Sequence, residues 1–174
     1  MKVLDAGCGY GRNLIYFMRS GYEVYGLDQS VKAVSHVQNL AKDLSELPAD
    51  HFKVADLTMI PFDNDSFDLV LSSAVLHFAK DETHFDTMLK ELIRVIKPGG
   101  LLFARLASDI GIESKVQPLG GRRYHLPDGS DRFLVDEAML IRLQLDMGLE
   151  QIEPIKTSNV QNQRCMTTWV CQKL

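Results

Sequence analysis

Short apolar runs alternate with stretches of helical spacing through the first two thirds of the chain. The runs predict β-strands, and the stretches between them, where apolar residues recur every three or four positions, predict helices. Ser30 is a predicted N-cap, and Ser20-Gly21 ends the helix before it. Strands separated by helices imply a mostly parallel sheet with right-handed crossovers. The predicted strands are residues 2–6, 22–27, 52–55, 67–72 and 101–106, and the predicted helices are residues 14–18, 31–44 and 85–96.

The last third of the chain has a less regular pattern. Residues 108–132 are polar and contain glycine without a clear period, and at about 25 residues they exceed a usual connection. We expect this segment to be functional or partly structured, on the substrate side of the domain. Asp136 is placed to cap a last helix that runs to Met147, and residues 152–155 and 166–171 predict two closing strands. The whole chain, residues 1–174, is predicted to form a single α/β domain.

Composition and charge narrow the classes of function. With 45% apolar and 24% charged residues, the chain has the composition of a globular domain and not of a disordered or coiled-coil one. The net charge of −4 argues against binding to nucleic acid, where clustered Lys and Arg supply the attraction. No apolar stretch approaches the roughly 18 residues of a membrane span, so we expect a soluble protein with no membrane partner.

Cysteine and histidine usage predicts neither a disulfide framework nor a metal site. The three cysteines form no C-x-x-C pair and are odd in number, which is typical of reduced thiols in a cytoplasmic protein. The five histidines include no H-x-x-x-H or H-E-x-x-H arrangement. We therefore expect chemistry that does not depend on a bound metal.

A glycine-rich loop follows the first predicted strand, at residues 5–12. Its glycines stand at positions 7, 9 and 11, whereas a dinucleotide-binding fingerprint places its third glycine where this chain has Arg12. The loop still allows the backbone to approach a ligand closely at the start of a helix. Asp5, at the start of this loop and just before its glycines, repels phosphate and favours a cationic ligand.

Carboxylates also end the next two predicted strands. Asp28 lies about 20 residues beyond Gly7, the separation at which a carboxylate meets a ribose diol in a βαβ nucleoside site. Asp56 ends the third strand, where it can accept a hydrogen bond from an exocyclic amine while the Leu57 amide reaches a ring nitrogen. Acidic residues at successive strand ends therefore predict a nucleoside that carries positive charge and no phosphate.

This ordered set of motifs resembles the class I S-adenosylmethionine-dependent methyltransferases. The resemblance implies S-adenosyl-L-methionine as cofactor and a doubly wound, mostly parallel seven-stranded sheet with helices on both faces and an antiparallel last strand. Beyond residue 108 the likeness is only architectural. The matching segments are residues 3–11 (motif I), 25–28 and 54–57 (the ribose-binding and adenine-binding strand ends), 67–77 (the fourth strand and its loop) and 96–100 (the turn before the fifth strand).

The resemblance implies contacts for residues of the glycine loop. Gly7 and Gly9 would line the methionine part of the cofactor, with Ala6 and Cys8 beside them, and Asp5 would lie near the amino group. Interpretations without a ligand role remain open for two of these residues. Asp5 would then cap the amides of the loop, and Cys8 would be a small residue that fills it.

The resemblance also implies roles at the later strand ends. Asp28 would hold the ribose hydroxyls with Gln29 beside the adenine face, and Ser72 would contact the methionine moiety or face the transferred methyl group. His77 is the predicted catalytic base, because histidine titrates near neutral pH and this one follows the fourth strand. The alternative is a loop histidine that packs against cofactor or substrate without moving a proton.

These observations predict an enzyme that moves the S-adenosylmethionine methyl group to a small-molecule nucleophile. Members of the family usually carry a helix before the first strand, which starts here at Lys2, so we expect that cap helix to be missing. Truncation, a partner, or cover by residues 108–132 would each account for this, and an uncovered first strand would favour a homodimer. The rival functions are a non-catalytic or truncated S-adenosylmethionine-binding module and, disfavoured by Arg12, an NAD-dependent oxidoreductase.

Overall fold

The computed structural model describes all residues from 1 to 174, which form eleven strands and four α-helices. The helices are α1 (Leu14–Arg19), α2 (Val31–Leu44), α3 (Glu82–Val95) and α4 (Glu137–Asp146). The strands are β1 (Lys2–Ala6), β2 (Glu23–Asp28), β3 (Phe52–Val54), β4 (Phe67–Ser73), β5 (Ile96–Ser108), β6 (Gln117–Gly120), β7 (Arg123–His125), β8 (Asp131–Phe133), β9 (Leu149–Gln151), β10 (Lys156–Val160) and β11 (Arg164–Lys173).

The main sheet has the strand order β10-β11-β5-β4-β1-β2-β3, with β9 paired to β11 off this path. Strands β1 to β5 are mutually parallel, whereas β11 runs antiparallel to β5 and to β10. The predicted seven-stranded, mostly parallel sheet with an antiparallel last strand is therefore confirmed. The order of the strands reverses between β1 and β4, which is where ligands bind in sheets of this type.

The helices cover both faces of the sheet. Helices α1 and α2 pack on one face, in a cluster that includes Leu14 and Val37, and α3 and α4 pack on the other, where Phe85 and Leu140 belong to a core of 27 buried residues. Burying each such side chain contributes about 1.5–3 kcal/mol. The predicted caps form: Ser30 Oγ accepts from the amide of Ala33 at 3.3 Å, and an Asp136 carboxylate oxygen caps α4.

Residues 108–132, which carry no clear period, form most of a second, three-stranded sheet in the order β6-β7-β8. The sequence pattern misses these strands because they are three or four residues long and β6 is exposed throughout, so no apolar alternation marks them. Gly120, Gly121 and Arg122, all with positive φ, make the turn between β6 and β7. The segment is therefore partly structured, as expected.

The predicted strand at residues 152–155 is wrong. The chain there is irregular, and the strands β9 and β10 lie on either side of it. Pro154 explains the interruption, because a proline has no N–H to donate to a sheet ladder. Beyond β9, the amide of Ile152 still donates to the carbonyl of Val170 in β11. The chain then leaves β11 and pairs with it again as β10.

The sheet face beside α1 is open over its central strands. Leu71, Leu101, Phe103 and Val170 line a wide apolar depression of about 420 Å³ there, with Phe17 of α1 at its edge. No helix of the protein combines the length and the apolar content that a bilayer crossing requires.

Candidate functional site

A cavity of about 520 Å³ lies at the carboxyl ends of β1 to β4, at the point where the strand order reverses. This volume is within the usual range for small-molecule and cofactor sites. Loops after four different strands supply its walls. The lining residues are Gly7, Gly9, Asp28, Gln29, Asp56, Leu57, Ser73, Ala74, Val75, Phe78, Lys80, His84 and Met88.

Backbone hydrogen bonds connect the glycine loop to the end of β2. The amides of Gly7 and Cys8 both donate to the Leu27 carbonyl, at 2.8 and 2.9 Å. Gly7 has a φ of +86°, and a Cβ atom added there would lie 2.3 Å from a methyl group of Val75. An added Cβ at Gly9 would meet nothing within 4 Å, so this position leaves open space on the cavity wall. Glycine at both positions therefore keeps the backbone itself at the surface of the cavity.

Asp28 presents a carboxylate whose orientation is fixed by the backbone. One of its oxygens accepts from the Gly9 amide at 2.9 Å, and the other accepts from the Ser30 amide at 2.8 Å. Each carboxylate oxygen has a second lone-pair site, and no Lys or Arg pairs with this group. Asp28 can therefore accept hydrogen bonds from two neighbouring hydroxyl groups of a ligand.

Asp56 is held in a compact turn after β3, next to the end of β2. One of its oxygens accepts from the amide and the hydroxyl of Thr58, at 2.7 and 2.6 Å, and the other accepts from the side-chain amide of Gln29. The hydrogen bond from the Thr58 hydroxyl is the main reason that the pKa of Asp56 is lowered. The amide of the next residue, Leu57, has no acceptor within the chain. A ligand that offers both a donor and an acceptor edge would complete this wall.

The other four predicted cofactor residues lie behind the cavity wall. Ala6 belongs to the main core, and the Cys8 side chain packs among apolar residues of α1 and α2, where burial raises the pKa of its thiol to about 12. Ser72 is fully buried and its hydroxyl has no partner, whereas the next residue, Ser73, reaches the cavity. The structure thus brings together Gly7, Gly9, Asp28, Gln29, Asp56 and Leu57, and sets Asp5, Ala6, Cys8 and Ser72 back from them.

Asp5 is a buried carboxyl group with one orphaned oxygen. Along β1, Leu4 and Ala6 point into the main core, so Asp5 points to the opposite face, beside α1. There one of its oxygens accepts from the side-chain amide of Asn13 at 3.3 Å, and the other has no partner. Burial raises the pKa of Asp5 to about 7, against a smaller opposing effect of the Asn13 hydrogen bond.

The sequence patterns assign no cofactor contact to the fourth wall of the cavity. Val75, Phe78, Lys80 and His84 lie in the loop after β4 and at the start of α3, where no spacing rule selects them. The backbone of this loop does mark it as a candidate functional segment. Ala74 has a φ of +63°, and strained non-glycine residues cluster at functional sites. The amide of Ala74 donates to the Arg105 carbonyl at 2.7 Å, which holds that conformation in place.

His77 belongs to this loop, but its side chain is buried and faces a second cavity of about 190 Å³. Its Nδ1 accepts from the Ala107 amide at 3.2 Å, so the proton of the neutral ring is on Nε2. Burial, followed by the positive charges of Arg132, Arg105 and Arg164, lowers the pKa of His77 to about 4. The ring is therefore neutral at physiological pH and is a weak proton acceptor.

The two cavities are neighbours. Ala74 lines both of them, and the Arg132 guanidinium of the second lies 4.9 Å from the ring centre of Phe78 in the first. The lining of the second cavity comes from the loop after β4, from β5, from the small sheet, and from β10 and β11. Its residues are Ala74, His77, Arg105, Ala107, Leu126, Asp128, Ser130, Arg132, Val160, Arg164 and Met166.

Comparison with known proteins matches residues 4–104 to the model of a methyltransferase domain family. The chain belongs to this family. The matched residues run from β1 into β5 and include every strand end that lines the larger cavity. The resemblance to class I S-adenosylmethionine-dependent methyltransferases that the motifs predict is thereby confirmed.

Curated relatives of this methyltransferase-family chain include two enzymes named malonyl-[acyl-carrier protein] O-methyltransferase. The one from Pseudescherichia vulneris is 31% identical over 157 residues, which are 88% of this chain and 57% of the relative. The one from Enterobacter lignolyticus is 38% identical over 109 residues, which are 62% of this chain and 40% of the relative. The chain thus spans about half the length of the curated relatives it matches.

Solved structures reproduce the fold of the chain. A protein from Methanosarcina mazei described as a SAM-dependent methyltransferase superposes with a TM-score of 0.81 at 22% identity, over 99% of this chain and 92% of its own. A 1,6-didemethyltoxoflavin-N1-methyltransferase from Burkholderia thailandensis, solved with 1,6-didemethyltoxoflavin and S-adenosylhomocysteine, gives a TM-score of 0.74 at 19% identity. That superposition covers 99% of this chain and 70% of the other. These likenesses support the doubly wound architecture.

Proposed function

We propose that the larger cavity binds S-adenosyl-L-methionine and that the protein transfers the methyl group of this cofactor to a small-molecule acceptor. The observation that carries the proposal is the Asp28 carboxylate at the end of β2. Two backbone amides fix its orientation, and one of them, that of Gly9, belongs to the glycine loop. A carboxylate oriented in this way and free of any cation matches a vicinal diol such as that of ribose.

The remaining residues of the cavity fit the other parts of the cofactor. Asp56 and the free amide of Leu57 offer an acceptor and a donor for the edge of an adenine ring. The open surface at Gly9 leaves room for the methionine part. Asp28 and Asp56 place two carboxylates against the single ammonium group of Lys80, and this balance suits a cation.

Asp5 fits a role behind the cavity. Its orphaned oxygen is fully buried, and a carboxyl group in this state gains a partner when a positively charged amino group approaches. The pKa of Asp5 is about 7, and a positive charge beside it would lower this pKa. Asp5 would then be ionised at neutral pH. We therefore assign Asp5 to the amino group of the cofactor, as the motif resemblance implies.

S-adenosylmethionine supplies a methyl group that its sulfonium already activates, so the protein has to align the reactants and exclude water. Alignment of the reactants lowers the activation free energy by up to roughly 7–11 kcal/mol in favourable cases. With its Nδ1 occupied by the Ala107 amide and its pKa near 4, His77 is better suited to donate a hydrogen bond from Nε2 than to accept a proton. We infer that His77 positions the acceptor and that the nucleophile brings its own lone pair.

A small-molecule acceptor is supported by the shape and charge of the protein. The second cavity, which shares Ala74 with the larger one, has room for a small group at about 190 Å³, and the net charge of −4 disfavours nucleic acid. Relatives in the comparison are named for an acyl-carrier-bound malonyl group, which is also a small reacting group.

Calorimetric titration with S-adenosylhomocysteine tests the proposal. We expect the wild-type protein to bind, and Asp28→Ala to weaken binding by about 3 kcal/mol or more, roughly 100-fold, because each hydrogen bond to a charged group is worth about 1.5–3 kcal/mol. Asp43→Ala, at an exposed position of α2, is the matched control and should bind as the wild type does. No affinity in the wild type, or tighter binding of NADH, would reject the proposed function.

A further inference from the structure

Three arginines from separate elements surround the second cavity. Arg105 comes from β5, Arg132 from β8 and Arg164 from β11, and Asp128 is the one carboxylate among the lining residues. His77, which shares the cavity, is neutral at physiological pH. The cavity therefore has a clear excess of positive charge in a protein whose net charge is −4.

Little in the chain neutralises these guanidinium groups. Arg164 lies 3.7 Å from Asp128, a long contact, and Asp128 already accepts at 3.0 and 2.6 Å from the amide and hydroxyl of Ser130. Arg132 donates to a backbone carbonyl at 2.8 Å and lies over the Phe78 ring. Arg105 takes part in none of the ion pairs of the protein.

Arginines elsewhere in the protein are used differently. Arg94 donates to both oxygens of Glu91 at 2.7 and 2.8 Å, and Arg122 forms a close ion pair with Asp136. Those side chains stabilise the fold through their partners. Like charges gathered in one cavity cost free energy unless a counter-charge joins them, so the cluster at the second cavity has no comparable structural reason.

Resting on the proposed function, we propose that the second cavity binds an oxyanionic group of the methyl acceptor, a carboxylate or a phosphate ester. Guanidinium groups bind both kinds of oxyanion through paired N–H donors. The Nε2–H of His77 adds a further donor at the inner wall. Apolar side chains of Leu126, Val160 and Met166 would contact the carbon skeleton that carries the anion.

The position of the cavity relates this anion to methyl transfer. Since Ala74 lines both cavities, an acceptor whose anion is bound by the arginines would extend past Ala74 toward the cofactor in the larger cavity. Residues from the loop after β4, from β5, from the small sheet and from β11 would bind the anion together. The small sheet, which the sequence pattern leaves undefined, thereby gains a role in acceptor binding through Arg132.

Titrations of the full chain with small anions test this inference. The probes are glutarate, glycerol phosphate and, as a neutral match, glutaramide, each followed by amide chemical shifts with and without S-adenosylhomocysteine. We expect at least one of the two anions to bind and to shift residues around the second cavity, while glutaramide does not bind. Arg132→Gln and Arg164→Gln should each weaken anion binding at least tenfold. Arg142→Gln, at an exposed position of α4, should leave it within twofold.

The outcomes separate this inference from the proposed function. Selective binding of glutarate or of glycerol phosphate identifies the acceptor anion as carboxylate or phosphate ester. If neither anion binds, or if both cavity variants bind like the wild type, the inference is overturned even though S-adenosylhomocysteine binds. If S-adenosylhomocysteine fails to bind while the anions do, the anion site stands and its assignment to a methyl acceptor falls.

Discussion

Two buried titratable groups, Asp5 and His77, give the stability of this protein opposite dependences on pH. Burial raises the pKa of Asp5 from 3.8 to about 7 and lowers the pKa of His77 from 6.5 to about 4. At about 1.36 kcal/mol per pH unit, the first difference is worth about 4 kcal/mol and the second about 3 kcal/mol of unfolding free energy.

The signs follow from proton binding in the two states. Between pH 4 and 7 the folded protein keeps a proton on Asp5 that the unfolded chain has released, so stability falls as pH rises through this window. Between pH 6.5 and 4 the unfolded chain protonates His77 while the folded protein does not, so stability falls as pH falls. In the wild type the two contributions nearly cancel.

Single substitutions should separate the two slopes. As the pH rises from 4 to 8, the unfolding free energy of Asp5→Asn is expected to increase by about 4 kcal/mol relative to that of the wild type. In His77→Asn the new carbonyl oxygen can still accept from the Ala107 amide. As the pH rises from 4 to 8, the unfolding free energy of this variant is expected to decrease by about 3 kcal/mol relative to that of the wild type. Asp43→Asn, at an exposed site, is the control and should run parallel to the wild type.

Urea unfolding at half-unit pH intervals measures these differences directly. Subtracting the wild-type curve removes the titration of all other groups, so each difference reports the substituted residue. A flat difference for Asp5→Asn would show that Asp5 is ionised in the folded protein at low pH. Equal slopes for the two variants would contradict the opposite effects of burial on an acid and a base.

Three further outcomes follow from the site. Gly7→Ala should destabilise the protein by about 1–3 kcal/mol in urea unfolding, because its Cβ would meet Val75 at 2.3 Å, whereas Gly9→Ala should cost less. Cys8 and the other two cysteines are buried, so a thiol reagent should react with none of them until denaturant is added, and a fast-reacting thiol would contradict this. Asp56→Ala should abolish the preference for adenosyl over inosyl homocysteine in competition binding, and an unchanged preference would remove Asp56 from the base-binding wall.

Local signals account for what the sequence predicts well. At each of the helix caps Ser30 and Asp136, the side chain accepts a hydrogen bond from the amide three residues later. Such a local interaction can be predicted from neighbouring residues in the sequence. Gly7, Asp28 and Asp56 are found because parallel strands bring their carboxyl ends to one edge. In each case the feature is set by its neighbours in sequence or by the regular geometry of the sheet.

The features that the sequence does not predict depend on tertiary placement. The arginine cluster joins residues from three distant elements, and no spacing relates Arg105 to Arg164. The orientation of Asp5 is decided by the pleat of β1, which places its carboxyl group beside α1, behind the wall of the cavity that Asp28 lines. The low pKa of His77 arises from burial and from those arginines, so its residue type alone suggests a base where its surroundings favour a donor.

A crystal structure of the full chain with S-adenosylhomocysteine tests most directly whether the larger cavity is an adenosyl site. We predict the ribose hydroxyls within about 3 Å of the Asp28 carboxylate and the adenine edge against Asp56 and the Leu57 amide. An empty cavity, or a ligand bound with its ribose away from Asp28, would contradict the assignment of this protein as an S-adenosylmethionine-dependent enzyme.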